Sequence, residues 1–195
     1  MGKIFYIMGK SSTGKDTIYK RLLERPENTL RTIVMYTTRP IREDERDGVE
    51  YFFVDEERQR ELEAEGRIIE LRCYHTFHGE WKYFTVKDEQ IDLERNDYLV
   101  IGTLESYAMT RNYFGRDRLV PIMIELDDGI RLQRALDREK LQKPPRYQEL
   151  CRRYLADEED FAEDKLAEAG IEKCFYNDDL ERCLSEIVSY IEKRR

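Results

Sequence analysis

A glycine-bounded loop near the N-terminus has the residue types and spacing needed to bind phosphate. In the segment Gly9-Lys10-Ser11-Ser12-Thr13-Gly14-Lys15, the glycines stand five residues apart and a lysine follows the second, which is the spacing of a P-loop. Glycines let the backbone turn tightly, so that successive N–H groups point at one anion, and a helix that starts there adds the positive end of its dipole. Lys15 can then reach the β- and γ-phosphates of a nucleotide. The predicted nucleotide-binding residues are Gly9, Ser11, Ser12, Thr13, Gly14, Lys15, Asp16 and Thr17.

The residue after the P-loop lysine departs from the usual pattern. Ser or Thr normally stands there and binds Mg²⁺ through its hydroxyl, whereas this chain has Asp16 followed by Thr17. Carboxylate and hydroxyl oxygens are hard ligands of the kind that Mg²⁺ prefers. We therefore predict a Mg²⁺ site at Asp16 and Thr17, although the carboxylate also places negative charge beside the phosphates.

A second polar segment, residues 37–54, has the groups needed to hold another phosphate. Arg39 and Arg42 are three residues apart and can grip one dianionic phosphate through forked, charge-assisted hydrogen bonds. The hydroxyl of Tyr51 can donate to the same group. A solvated, charged loop is the alternative for this composition, and these residues alone leave both interpretations open.

The elements that must position these residues follow from the hydrophobic pattern. Buried strands alternate with helices, which predicts a parallel sheet covered by helices on both faces. Residues 37–88 carry shorter, amphipathic strands and read as a lobe inserted after the second core strand. The predicted strands are 4–8, 30–36, 51–54, 67–74, 81–86, 98–101, 118–126 and 172–176, and the predicted helices are 18–23, 55–65, 87–95, 104–114, 128–140, 147–168 and a C-terminal helix capped by Asp178 and Glu181.

The bulk composition limits the function classes. The 195 residues predict one domain, and the net charge of −8 has the wrong sign for a general nucleic-acid binder. No apolar run reaches membrane-spanning length and no signal-peptide pattern is present, so we expect a cytoplasmic protein that binds neither membranes nor nucleic acid. Cys73, His75 and His78 can form a metal half-site or serve as ordinary strand and loop residues.

The run TTRPIREDERDGVEYFFV at residues 37–54 resembles the signature of the guanylate kinase family. It has Thr-Thr-Arg, two spacers, a basic residue, an acid, a glycine and then Tyr-x-aromatic, with the P-loop about thirty residues upstream. The resemblance implies ATP-dependent phosphorylation of GMP to GDP with Mg²⁺ as cofactor. It also implies an α/β, three-layer P-loop NTPase fold. The implied regions are a parallel-sheet core (1–36, 89–137 and 151–195), a nucleoside-monophosphate lobe (37–88) and a helical lid (138–150).

The same resemblance implies roles for residues further along the chain. Glu70 stands where the family has the carboxylate that pairs with the N–H donors of guanine, and Thr85 where it has a base contact. Tyr83 takes the place of a tyrosine on the acceptor phosphate, and Asn177 lies in a segment near the adenine of ATP. The implied catalytic residues are Lys15, Arg42, Arg138 and Arg153, and the implied acceptor-binding residues are Arg39, Arg42, Tyr51, Glu70, Tyr83 and Thr85.

Two departures affect the groups that would recognise the base. Met35 stands where the family has a serine, and Ile101-Gly102-Thr103 stands where it has Asp-x-Asp. The expected partners are therefore ATP and a nucleoside monophosphate, which by resemblance is GMP. The protein itself is expected to be a monomer or homodimer. Two alternatives stay open. The acceptor can be another (deoxy)nucleoside monophosphate or a phosphosugar, or the protein can be a non-catalytic guanylate-kinase-like binding module.

Overall fold

The computed structural model describes residues 1–76 and 79–195 of the chain. Two sheets and the helices around them form an α/β fold. The elements are β1 (Ile4–Met8), α1 (Lys15–Leu23), β2 (Tyr36–Thr37), β3 (Phe52–Phe53), α2 (Glu56–Ala64), β4 (Ile68–Thr76), β5 (Gly79–Val86), β6 (Tyr98–Ile101), α3 (Leu104–Phe114), β7 (Leu119–Glu125), α4 (Asp128–Lys140), α5 (Tyr147–Asp160), α6 (Glu163–Glu168), β8 (Cys174–Tyr176) and α7 (Leu180–Arg194).

The core sheet has the strand order β6-β1-β7-β8, and its pairings are parallel. The five residues of β1 are all buried, as a strand covered on both faces requires. One face packs against α1 and α7 through residues such as Ile18 and Ile187, and the other packs against α3 through Leu104 and Tyr107. The predicted three-layer arrangement is confirmed, and it places the end of β1 at the phosphate-binding loop.

A second, smaller sheet has the order β3-β2-β5-β4. The residues between β2 and β5 also form α2, whose N-terminus is capped by the Asp55 side chain. Leu62 of α2 packs with Phe84 and Val86 on one face of this sheet. The residues that alternate with these along β4 and β5 point to the opposite face, where β4 lies against α3.

The predicted strand at 30–36 does not form. Only Arg31 makes an isolated bridge, to Tyr98, and β2 belongs to the second sheet. The Gln90 side chain takes the place of a neighbouring strand, because it accepts from the Val34 N–H at 2.9 Å and donates to the Val34 carbonyl at 3.3 Å. The predicted helix at 87–95 is also wrong. The segment consists of turns, in which the Asp88 carboxylate accepts from the Gln90 amide and competes with helical hydrogen bonding.

Two predictions near the C-terminus need correction. The helix predicted at 147–168 is divided into α5 and α6, since Phe161 is buried and Ala162 has an extended backbone. Helix α7 is capped by Asp179, one residue later than predicted, through a 2.9 Å hydrogen bond from the Arg182 amide. No helix in the described part of the chain is long and apolar enough to cross a membrane.

Candidate active site

The phosphate-binding loop joins β1 to α1 and has the backbone conformation that its glycines predict. Gly14 caps α1 with a φ of 88°, a left-handed conformation that L side chains rarely adopt. A Cβ added there would overlap with the Asn177 side-chain amide. Ser12 also has a positive φ, of 65°. The turn therefore depends on glycine at position 14 for both conformation and space.

The start of α1 presents unused hydrogen-bond donors. The backbone N–H groups of Gly14, Lys15 and Asp16 donate to no other group in residues 1–76 or 79–195. Such amides, together with the positive end of the helix dipole, bind anions. The Lys15 ammonium lies beside them, 3.7 Å from the Asp16 carboxylate. This geometry suits the β- and γ-phosphates of a nucleotide.

The donor set beside the loop fits Mg²⁺. Asp16 and Thr17 lie in the first turn of α1, and the Asp16 side chain is 78% exposed. A carboxylate and a hydroxyl oxygen, free to reach a metal bound to phosphate, are chemically appropriate ligands.

Asn177 supports the phosphate-binding loop through a buried hydrogen bond. Its buried side-chain amide donates to the Thr13 carbonyl at 2.7 Å. The position near adenine that the resemblance implied stays a prediction, and the structure adds this contact with the loop backbone. Arg134, which the sequence analysis missed, lies close to Gly14 from α4. Its spacing between Arg131 and Arg138 on one helix was the available signal.

Arg131 is a second residue that the sequence analysis missed. Its guanidinium is 1% exposed and donates to the Ser11 carbonyl of the loop at 3.2 Å and to the Glu158 carboxylate of α5 at 2.6 Å. Asp157 of α5 accepts from the Ser11 amide at 2.8 Å and lies 3.5 Å from Arg131. Lys10 also pairs with Glu158, at 2.6 Å. The loop is thus tied to α4 and α5 by a network of charged groups.

The two predicted lid arginines lie close to the loop. Arg138 of α4 and Arg153 of α5 line one crevice together with Ser11. Arg153 lies 3.6 Å from the buried carboxylate of Glu139, which also accepts from the Arg146 amide at 2.6 Å. Glu139 therefore joins the end of α4 to the start of α5. The connection between these helices spans residues 141–146, inside the predicted lid.

Three predicted acceptor-binding residues, Glu70, Tyr83 and Thr85, share one face of the second sheet. The register places Thr37 opposite Tyr83, and Glu70 opposite Thr85. Because side chains alternate along a strand, these residues point away from the face that packs against α2. The ring contacts of Tyr51 and Tyr74 with Tyr83, both at 5.6 Å, continue the same surface. We call this surface the acceptor face.

At one end of the acceptor face, Arg39 is held rather than free. Its guanidinium makes two hydrogen bonds to the Glu45 carboxylate, at 2.5 and 2.7 Å, and stacks 5.1 Å from the Tyr51 ring centre. These hydrogen bonds hold the pKa of the Glu45 carboxyl at about 2. Arg42 is exposed, and its guanidinium has no partner among the described residues. Arg42 is therefore the cation available for a phosphate, and Glu45 is a positioning residue that sequence reasoning missed.

At the other end, Glu70 and Thr85 meet as the resemblance implied. The Thr85 hydroxyl donates to the Glu70 carboxylate at 2.8 Å, and both residues are buried. Arg72 binds the other oxygen of Glu70 at 3.1 Å, and its terminal nitrogen lies 3.4 Å from the sulfur of Met35. Sequence reasoning missed Arg72, although its position two residues after Glu70 on a strand was a signal.

Position 102, between the two residues that stand where the family has aspartates, has no room for a side chain. A Cβ at Gly102 would overlap with the hydroxyl of Tyr6, which donates to Ser106 at 2.7 Å. Thr103 meanwhile caps α3 through a capping box with Ser106. Burial and then the Glu70 carboxylate raise the pKa of the Tyr6 hydroxyl above its ordinary value. The Tyr6 hydroxyl thus fills the space that a side chain at 102 would need, and Glu70 lies close enough to influence it.

Two residues of the predicted metal half-site, Cys73 and His75, lie together with a further acidic residue. The ligand atoms of Cys73, His75 and Glu80 lie within 4.8 Å of one another, and all three residues are exposed. His78 lies outside the described residues. Among those that the structure describes, Glu80 joins Cys73 and His75 in this group.

Three comparisons with known proteins agree with this geometry. A family model described as guanylate kinase matches residues 1–99. A guanylate kinase from Wolbachia of Brugia malayi is 30% identical over 206 aligned positions, covering all of this chain and 94% of that protein. A guanylate kinase from Neisseria gonorrhoeae is 46% identical over 69 residues, about a third of each protein. The crystal structure of a guanylate kinase from Anaplasma phagocytophilum superposes with a TM-score of 0.64 and 20% identity, over 98% of this chain and 85% of that one, and shows the same fold.

Proposed function

This chain belongs to the guanylate kinase family, and from that premise we propose that it transfers the γ-phosphoryl group of ATP to GMP. The observation that supports the proposal is that the protein has two candidate phosphate-binding sites, which are built from different groups. One is the P-loop with its free amides and Lys15, and the other is the acceptor face with Arg42. We further propose a cytoplasmic enzyme that acts as a monomer or homodimer.

The donor nucleotide is held by the loop. The amides of Gly14, Lys15 and Asp16 and the Lys15 ammonium surround the β- and γ-phosphates and neutralise their charge. Asp16 and Thr17 would hold Mg²⁺, which when bound supplies further neutralisation of the phosphate oxygens. The contacts of Asn177 and Arg131 with the loop backbone keep these donors in place.

The acceptor nucleotide lies on the acceptor face. Arg42 binds its phosphate, together with the hydroxyls of Tyr51 and Tyr83. Arg39 supports this end, because Glu45 fixes its guanidinium and it stacks on Tyr51. Glu70 and Thr85 read the base.

Arg138 and Arg153 complete the site from the lid. Both line the crevice next to Ser11, so that a small movement of α4 and α5 brings positive charge to the transferring group. Stabilising that charge and aligning the two nucleotides is most of what phosphoryl transfer requires. No general base is needed, since the acceptor phosphate is already an anion. Closure of the lid also excludes water and limits hydrolysis of ATP.

A coupled ADP-release assay tests the proposal. With ATP and Mg²⁺, the purified protein is offered GMP, dGMP, IMP, AMP, CMP, UMP, dTMP and ribose 1,5-bisphosphate, and GMP is expected to give the highest kcat/KM. The variant Lys15→Met is expected to lose at least about a hundredfold in kcat while keeping the wild-type unfolding temperature. Preference for another acceptor would contradict the choice of GMP. Binding of ATP without turnover of any acceptor would indicate a non-catalytic role.

A further inference from the structure

Arg72 is a buried charge whose hydrogen-bonding capacity is only partly used. It lies in β4, is 8% exposed, and gives its Nε hydrogen to Glu70 at 3.1 Å. The contact that a terminal nitrogen makes with the Met35 sulfur is with a weak acceptor. Burial lowers the pKa of the Arg72 guanidinium, but the combined influence of Glu70, Tyr6 and Tyr74 outweighs it, and the net shift is upward. The group therefore stays charged and has N–H donors available.

The position of Arg72 is on the acceptor face, between its two ends. Arg72 stands opposite Tyr83 in the strand register, and Glu70 stands opposite Thr85. Residues 70, 72 and 74 alternate along β4 and therefore point to the same side. Tyr74 lines a cleft of about 830 Å³ together with Thr103 and residues of α3. This side of β4 therefore borders the cleft at Tyr74, and a base placed against Arg72 would lie next to it.

Arg72 presents N–H donors directly beside the acceptor oxygens of the Glu70 carboxylate. A 6-oxopurine has a carbonyl oxygen adjacent to a ring N–H, which is the complementary order. A 6-aminopurine has an amino donor adjacent to an unprotonated ring nitrogen, so it would place donor against donor and acceptor against acceptor. A buried polar group left without its partner is costly, which makes such a mismatch discriminating.

We propose that Arg72 is the specificity-determining residue that donates to the 6-carbonyl oxygen of the acceptor base, restricting the substrate class to 6-oxopurine nucleoside monophosphates. This inference rests on the proposed function, since it assumes that the acceptor base lies against Glu70. It also accounts for Met35. A thioether next to Arg72 leaves the guanidinium free for the ligand, whereas a carboxylate or amide there would bind it permanently.

Equilibrium binding tests the inference independently of turnover. Calorimetry measures the dissociation constants of GMP, IMP and 2-aminopurine ribonucleoside 5′-monophosphate, which lacks the 6-carbonyl, for wild type, Arg72→Met, Arg72→Lys and Glu70→Gln. For Arg72→Met we expect GMP and IMP to bind about ten- to a hundredfold more weakly, and the 2-aminopurine nucleotide to change by less than about threefold. Arg72→Lys keeps a charge beside Glu70 but loses the fork, so an intermediate, carbonyl-dependent loss is expected.

The other outcomes separate this inference from the proposed function. Equal weakening of all three nucleotides by both Arg72 variants, as expected for Glu70→Gln, would show that Arg72 acts only through Glu70 and overturn the inference. Unchanged binding of GMP, or a wild type that binds neither GMP nor IMP, would overturn it as well. Carbonyl-dependent binding without phosphoryl transfer would leave the inference standing and refute the proposed function. Unfolding temperatures show which variants are folded. If Arg72→Met does not fold, the binding constants of Arg72→Lys decide between these outcomes.

Discussion

Replacing Arg131 by methionine tests whether the charged network holds the phosphate-binding loop. The Arg131 guanidinium is 1% exposed and donates to three carboxylates and to the Ser11 carbonyl. Methionine keeps much of the side-chain volume but removes every one of these hydrogen bonds. The variant therefore leaves Asp157 without its buried cation and Ser11 with one fewer contact to the lid helices.

The expected magnitude follows from the burial of the partners. Removing one partner of a fully buried ion pair costs roughly 3–5 kcal/mol. Here Glu158 and Asp128 are 39% and 54% exposed, so water screens them after the change, whereas Asp157 is only 15% exposed. We therefore expect a loss of about 2–3 kcal/mol in the free energy of unfolding, or about 4–12 °C in the unfolding temperature of a protein of this size.

Urea denaturation and ATP calorimetry measure the two consequences, with Arg152→Met as the matched control. Arg152 is an arginine of the adjacent helix α5, 66% exposed, and pairs with Glu149 at 2.7 Å. Its loss is expected to cost less than about 0.5 kcal/mol and to leave ATP binding unchanged. Arg131→Met is expected to weaken ATP binding about tenfold, since the loop loses a hydrogen bond worth about 1 kcal/mol or slightly more. Equal stability and ATP affinity of the two variants would refute the role assigned to Arg131.

Three further predictions address single features of the site. Gly14→Ala should lower stability by about 1–3 kcal/mol in denaturant unfolding, because of the positive φ and the overlap with Asn177, and the same change should cost less in an Asn177→Ala background. The pKa of Glu45 is about 2 when folded, below its ordinary value of 4.5, so its pair with Arg39 stabilises the protein above about pH 4.5 and less as the pH falls toward 2. The stability difference between wild type and Glu45→Gln, followed by urea denaturation, should therefore shrink over that range, and a constant difference would contradict this assignment. Asp16→Ala should raise the Mg²⁺ concentration needed for half-maximal turnover, and an unchanged Mg²⁺ dependence would rule out Asp16 as a ligand.

The parts of the fold that the sequence predicted well are those that depend on local pattern. The P-loop, the buried strand before it and the helix at 128–140 follow from spacing and hydrophobic periodicity within a few turns of chain. The strand predicted at 30–36 failed for the opposite reason. Its apolar composition favours a strand, but the backbone of Val34 pairs with the side chain of Gln90, which lies 56 residues away. A pattern of neighbouring residues cannot show that a distant side chain will take the hydrogen bonds of this backbone.

The same distinction applies to the site. Asn177 contacts the loop across 164 residues and Arg131 does so across 120, so their partners become visible only once the helices are placed against the core sheet. Glu45 is nearer in sequence, six residues from Arg39, but an acidic residue in a charged loop gives no sign of which cation it binds. The sequence therefore predicted which residues are chemically suited to phosphate and left open which of them are free to bind it.

One departure in the base-recognising groups lies against a charged residue. Met35 stands where the family has a serine, and its sulfur lies 3.4 Å from a terminal nitrogen of Arg72. Arg72 in turn binds the buried carboxylate of Glu70 at 3.1 Å. The other departure places Ile101 and Thr103 on either side of position 102, where the Tyr6 hydroxyl leaves no room for a side chain. The polar groups that the structure brings together at the base end of the acceptor face are therefore an arginine–carboxylate pair and Thr85, and the Arg72 variants test whether that pair recognises the base.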